Sequence, residues 1–204
     1  MRIFALLLIV AVGLFTVSWN FWDGEETADA AYFPLKVGYK WTYVVKENDK
    51  EIERKSEVTG TEMVGDVECF VVKNPKGTEY CAVDKEGVKM YKTGSKVFNP
   101  PLLWLKFPLK KGSEWSYTLP NGLKSNLKNE GEEEIEVPAG KMKCWKISVV
   151  GLIGSEKVVE WEVWFARDIG FVKMSDKTGG VETVSELKSF SKGEGKKGNE
   201  GEKK

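Results

Sequence analysis

The sequence predicts an all-β, antiparallel protein made of two homologous halves of about five strands each, forming one curved sheet, barrel or sandwich. Three observations carry this. Apolar residues alternate with polar ones at a period of two, as in Val159-Glu160-Trp161-Glu162-Val163 and Trp145-Lys146-Ile147-Ser148-Val149. The segments between carry turn chemistry, Asn74-Pro75-Lys76-Gly77 and Pro120-Asn121-Gly122 among them. The third is a repeat. Phe33-Pro34-Leu35-Lys36-Val37-Gly38-Tyr39-Lys40-Trp41-Thr42-Tyr43 returns 74 residues later as Phe107-Pro108-Leu109-Lys110-Lys111-Gly112-Ser113-Glu114-Trp115-Ser116-Tyr117.

Further anchors follow in the same order. Gly65 and Cys69-Phe70 recur as Gly140 and Cys144-Trp145. Tyr80-Cys81-Ala82-Val83-Asp84 recurs as Trp164-Phe165-Ala166-Arg167-Asp168, and each copy is followed by a glycine and a Lys-Met pair. In chain order the expected strands cover 41–46, 52–59, 67–73, 78–84, 88–92, 133–137, 145–149, 159–163, 170–174 and 181–188, short and antiparallel with one wet face. Trp41, Tyr43, Phe70, Tyr80, Trp115, Tyr117, Trp145 and Trp161 are expected on the inner face. With Trp104 they are the candidate ligand-lining residues. Such bulky aromatics either fill a barrel or line a cavity, and a hollow interior predicts a pocket above about 300 Å³.

The ends differ from this body. Residues 1–30 read as a signal peptide or N-terminal membrane anchor with a spacer: Arg2 precedes an apolar run from Ile3 to Val17, and Ala28-Asp29-Ala30 offers an A-x-A cleavage pattern. Read through Trp22 the run is long enough to span a bilayer. A periplasmic or secreted location is expected, with an N-terminal anchor if the leader stays. Residues 191–204 hold no apolar residue and read as a disordered Gly/Lys/Glu tail. Between the ends lie a first repeat over 31–96, an apolar junction over 97–106 and a second repeat over 107–190. The junction, Val97-Phe98-Asn99-Pro100-Pro101-Leu102-Leu103-Trp104-Leu105-Lys106, is apolar where a linker should be polar. It reads as a plug beginning with one helical turn, as a lid, or as a docking patch.

Composition narrows the chemistry. Lys+Arg and Asp+Glu balance at 31 each over 204 residues. Without residues 1–30 the count is 30 against 27, about +3, too weak for a grip on nucleic acid. There is no histidine, so imidazole acid–base work and His-ligated metals are excluded. Asp84 and Asp168 recur before glycines and read as turn residues rather than a catalytic carboxylate pair. Glu130, Glu132, Glu133, Glu134 and Glu136 read as a solvated strand face, not a cation site. No catalytic residue, metal or cofactor is expected. Cys69 and Cys81 flank the Asn74–Gly77 turn symmetrically, which places them opposite each other or one position off. A disulfide closing that loop would contribute about 3 kcal/mol in an oxidising compartment. Three free buried thiols, with Cys144 packed as a small apolar residue, are the competing reading.

The segments Tyr32–Tyr43, Val137–Lys141 and Val163–Lys173 resemble those of uncharacterised exported bacterial β-rich proteins with PL-x-x-G-x-x-W-x-Y and VWYA-x-x-VG-x-VK signatures. The resemblance implies an exported β-rich protein and brings no catalytic residues. The function expected is non-catalytic binding of a hydrophobic small molecule or lipid within the curved sheet. An envelope protein partner docking through 98–107 is the alternative.

Overall fold

Turn residues cut the chain into strands short enough to follow one another antiparallel without crossing, and the architecture is that meander carried all the way round. A computed structural model describes residues 28–47 and 50–193. Residues 1–27 of the expected leader and most of the expected tail lie outside the described residues. Among the described residues no helix is long and apolar enough to cross a membrane.

Twelve strands form one antiparallel sheet. The first six are β1 (Lys40–Glu47), β2 (Lys50–Val64), β3 (Val67–Asn74), β4 (Gly77–Asp84), β5 (Gly87–Thr93) and β6 (Lys96–Lys106). The last six are β7 (Glu114–Thr118), β8 (Lys124–Val137), β9 (Gly140–Ile153), β10 (Glu156–Ala166), β11 (Gly170–Asp176) and β12 (Thr183–Ser191). Every strand pairs with its chain neighbours except β6 and β7, and β1 also pairs with β12 from Lys40↔Ser191 to Lys46↔Val184. The sheet order is therefore β6-β5-β4-β3-β2-β1-β12-β11-β10-β9-β8-β7, a nearly closed barrel with its first and last strands side by side.

The closing seam lies between β6 and β7. No backbone ladder joins them. The Trp115 indole N–H donates to the Leu103 carbonyl at 2.9 Å, and Lys106 Nζ donates to the Glu114 carbonyl at 3.3 Å. The recurring motifs take matching places: Cys69 follows the β2–β3 turn and Cys144 the β8–β9 turn, while Asp84 and Asp168 close β4 and β10.

The apolar segment before the seam is β6 itself, not a plug with a helical turn. Pro100 and Pro101 lack an amide donor, which a strand tolerates at a sheet edge, and β6 is an edge that pairs only with β5. Its large side chains turn into the core: Phe98, Leu102 and Leu105 are buried, as is Phe107 just beyond. It is thus an integral strand of the sheet rather than a detached lid.

Two clusters make up the core. One gathers Trp41, Tyr43, Val58, Met90, Phe98 and Leu102. The other gathers Leu127, Ile147, Val149, Val163 and Phe165 with Leu105 and Phe107. The chain ahead of β1 ties them together. A 3-10 turn, Ala28–Tyr32, buries Ala30 and uses the Asp29 carboxylate to accept the Leu109 amide at 2.8 Å. Ala31 then accepts from the Asp168 amide at 2.7 Å. The Ala28-Asp29-Ala30 tripeptide read as a cleavage pattern therefore lies inside the folded body.

Candidate functional site

The wall of the barrel is incomplete at one place. β1 pairs with β2 from Glu47↔Lys50 to Lys40↔Glu57, whereas β3 joins β2 only from Glu57↔Lys73 onward. Lys50 to Ser56 therefore have a backbone partner on the β1 side alone among the described residues. The β3–β4 hairpin ends at Asn74–Gly77, too short to reach further along β2.

A cavity of about 210 Å³ lies behind this gap. Trp41, Tyr43 and Val45 of β1, Cys81 of β4, Trp104 of β6 and Trp161 and Val163 of β10 give it an apolar wall. Most of its polar groups collect at the gap: Arg54 and Ser56 of β2, Asn74 and Lys76 of the hairpin, and Glu79 of β4, with Ser185 of β12 across β1 from them. Outside the gap runs an open groove of about 350 Å³ along Glu53–Glu57, Lys73, Asn74 and Pro75. Arg54, Ser56, Asn74 and Pro75 line both, so the groove and the cavity share a mouth. At about 210 Å³ the cavity falls short of the roughly 300 Å³ expected of a hollow interior, because Phe165, Ile147, Val149 and Leu105 fill the rest of the barrel.

Hydrogen bonds fix the aromatic wall. The Trp41 indole donates to the Ile169 carbonyl at 2.7 Å, and the Tyr43 hydroxyl donates to the Phe171 carbonyl at 3.1 Å. Burial pushes the Tyr43 hydroxyl well above the ordinary phenol range, so it stays a donor at all ordinary pH. Trp104 packs against Trp161, ring centroids 6.0 Å apart. At the mouth, burial raises the Glu79 carboxyl above its usual value, against the opposing pull of Asn74 and Lys76.

Of the candidate lining residues, Trp41, Tyr43, Trp104 and Trp161 reach the cavity. Phe70, Trp115, Tyr117 and Trp145 pack on the core clusters instead. Tyr80 is on the outer face: Cys81, its neighbour in the strand, lines the cavity, and alternation turns Tyr80 the other way. There it pairs with Val71 and carries the Lys92 ammonium 4.2 Å over its ring. Arg54, Ser56 and Glu79 also line the cavity and lie outside the aromatic pattern that marked the candidates. For Arg54 and Ser56 the signal was the alternation Arg54-Lys55-Ser56, directly across the ladder from Tyr43 and Trp41.

The expected disulfide is absent, and all three cysteines are free and buried. The two-residue turn at Pro75-Lys76 sets Phe70, not Cys69, opposite Cys81. One residue of register reverses the face, so Cys81 points inward and Cys69 outward. Burial pushes the Cys144 thiol up to about 12, with the Glu133 charge adding to the effect. Asp84 is a turn residue: its carboxylate accepts the Glu86 and Gly87 amides at 2.8 and 3.2 Å and pairs with Lys89 at 2.8 Å. Burial alone would raise its carboxyl, but these bonds and the Lys89 charge outweigh that and hold it below its usual value. Asp168 sits at φ 61° in its own turn. Along β8, Glu130 accepts from Ser148 at 2.7 Å, Glu132 pairs with Lys143 at 2.6 Å and Glu133 accepts from the Trp164 indole.

The fold and the site together define an antiparallel β-barrel with an apolar cavity entered through its side wall. No family model matches the chain, and no curated protein matches it. Solved structures do show a likeness. A candidate exported protein with a YmcC-like fold from Bacteroides fragilis is 12% identical, with a TM-score of 0.48 over 78% of this chain and 98% of its own. A candidate lipoprotein from Parabacteroides distasonis is 12% identical, with a TM-score of 0.43 over 78% and 98%. The hypothetical lipoprotein YmcC from Escherichia coli is 13% identical, with a TM-score of 0.37 over 82% and 91%.

Proposed function

We propose that this protein is a non-catalytic binder of a small apolar or lipid-like ligand, working outside the cytoplasm in the cell envelope. The observation that carries the reading is the cavity: an aromatic wall left unfilled in a barrel whose other half is packed solid. Apolar cavities with a few convergent polar groups are the usual form of a ligand site. A volume of about 210 Å³ holds about seven water-sized groups at about 30 Å³ each, so the ligand, or the part of it that enters, is short. The leader expected from the sequence and the resemblance to exported β-rich proteins support the envelope location. Residues 98–107 favour a docking partner less, since Phe98, Leu102, Leu105 and Phe107 are buried in the core.

Native mass spectrometry of the full-length protein, exported with its own leader and gently extracted, tests this. The expected spectrum carries extra mass that disappears on denaturation, and the adduct is lost in a Cys81→Phe variant that fills the cavity. A bare wild-type mass, with no adduct after incubation with short-chain amphiphiles, overturns the reading.

A further inference from the structure

The cation at the mouth assigns a head group. Arg54 lies on the cavity side of β2, opposite Tyr43 across the β1–β2 ladder, and it lines both the cavity and the groove outside. It enters no salt bridge among the described residues, although carboxylates flank it on its own strand. Those carboxylates are engaged elsewhere: Glu53 with Lys188, and Glu57 with Lys40 at 3.2 Å. The other two charged groups lining the cavity, Lys76 and Glu79, cancel in net charge without forming an ion pair, which leaves the mouth at a net charge of about +1. A half-buried guanidinium is thus left facing an apolar chamber, with the Ser56 hydroxyl two residues along the same face. A planar guanidinium fork matches a carboxylate better than any neutral group, and the bond is stronger where water is partly excluded.

We propose that the ligand is a small amphipathic carboxylate, its chain among Trp41, Trp104 and Trp161 and its head group held by Arg54 at the gap between β2 and the β3–β4 hairpin. This rests on the binding reading above and narrows it. A carboxylate fits better than a dianion because Arg54, Lys76 and Glu79 together leave the mouth a single net positive charge. The depth fits too: about seven water-sized groups correspond to a chain of six to eight carbons.

The test is a pair of titrations at pH 7 and low salt, octanoate and octanol, followed by tryptophan fluorescence in the full-length protein and in Arg54→Gln. Octanoate is expected to bind the wild type about tenfold more tightly than octanol, the scale of one charge-assisted hydrogen bond. Arg54→Gln should erase that preference and leave octanol within about twofold. Equal binding of the two probes to the wild type overturns the head-group assignment while the cavity reading stands, and this comparison needs no variant to fold. Octanoate binding unchanged in a folded Arg54→Gln overturns it in the same way. Binding of neither probe overturns both.

Discussion

The β3–β4 and β9–β10 hairpins hold the same place in the two sets of six strands, yet one leaves a hole in the barrel and the other does not. β3 and β4 are 8 residues each. β9 has 14 and β10 has 11, joined by an equally tight turn. The longer hairpin covers β8 along its whole length, from Val137↔Gly140 to Lys124↔Leu152. The shorter one abandons β2 at Glu57 and exposes the cavity. The inner face follows suit, because the repeat places Cys81 where the other half carries Phe165. A mouth and a chamber therefore need no new element; a shortened hairpin and a smaller side chain suffice.

The largest expected effect separates those two side chains. Phe165 is fully buried, 5.9 Å from Phe33 and 6.5 Å from Phe171 between ring centroids. Phe165→Ala should cost about 3–5 kcal/mol, whereas Cys81→Ala, beside an existing void, should cost about 1 kcal/mol or less. Chemical denaturation of both variants reads this directly, and equal losses would break the contrast between a packed half and a hollow one.

Next come the paired turn glycines. A Cβ at Gly87 (φ 145°) would stand 1.9 Å from the Leu105 carbonyl oxygen, on edge strand β6. At Gly170 (φ 88°) the nearest atom, Pro34 Cδ, is 3.2 Å away. Gly87→Ala should therefore cost about 3 kcal/mol, by displacing β6 from β5, and Gly170→Ala only about 1–2 kcal/mol of backbone strain. Similar midpoint shifts in urea would show that β6 yields freely.

Alkaline pH gives a smaller, signed effect. The folded thiol of Cys144 titrates near 12, above its value of about 8.5 in an unfolded chain. Above pH 8.5 the unfolded chain holds fewer protons than the folded one, so stability is fully present below that pH and lost as pH rises toward 12. This group contributes a slope of about 1.4 kcal/mol per pH unit in that window. Cys144→Ala should flatten the curve by that amount relative to wild type, and parallel curves would contradict the burial of the thiol.

The smallest difference lies on the outer faces. Trp164 is flanked by the ammonium groups of Lys146 at 5.1 Å and Lys173 at 5.7 Å from its ring, and Lys173 also pairs with Glu186 at 2.9 Å. Tyr80 has Lys92 alone, paired with Glu62 at 3.5 Å. Lys173→Ala should cost about 1 kcal/mol and Lys92→Ala about 0.5 kcal/mol, resolved by thermal denaturation at low salt and shrinking with added salt.

Much of the comparison is visible in the residue numbers. The repeated motifs lie 75 apart at Cys69 and Cys144 but 84 apart at Tyr80 and Trp164. Those nine residues are the excess of β9 and β10 over β3 and β4. Fold class and most strands are readable because alternation and turn chemistry are local. β6 is not, because Pro100-Pro101 breaks the alternation and only edge position explains why a strand accepts it. The facing of Cys69 hangs on a single residue of register, which symmetry about Pro75 does not resolve. Arg54 escapes notice because nothing local says that the strand beside it stops short.

The pairing of β1 with β12 also sets an order in time. Trp41 stacks on Phe190, its ladder partner, nearly 150 residues down the chain. A growing chain can assemble each hairpin as it emerges, but the ring stays open until its last strand exists. Until then Trp41 and Tyr43 lack the wall behind them, and the chamber has no defined shape. The change in tryptophan fluorescence that octanoate causes should thus appear only with the final folding phase, after the hairpins have formed.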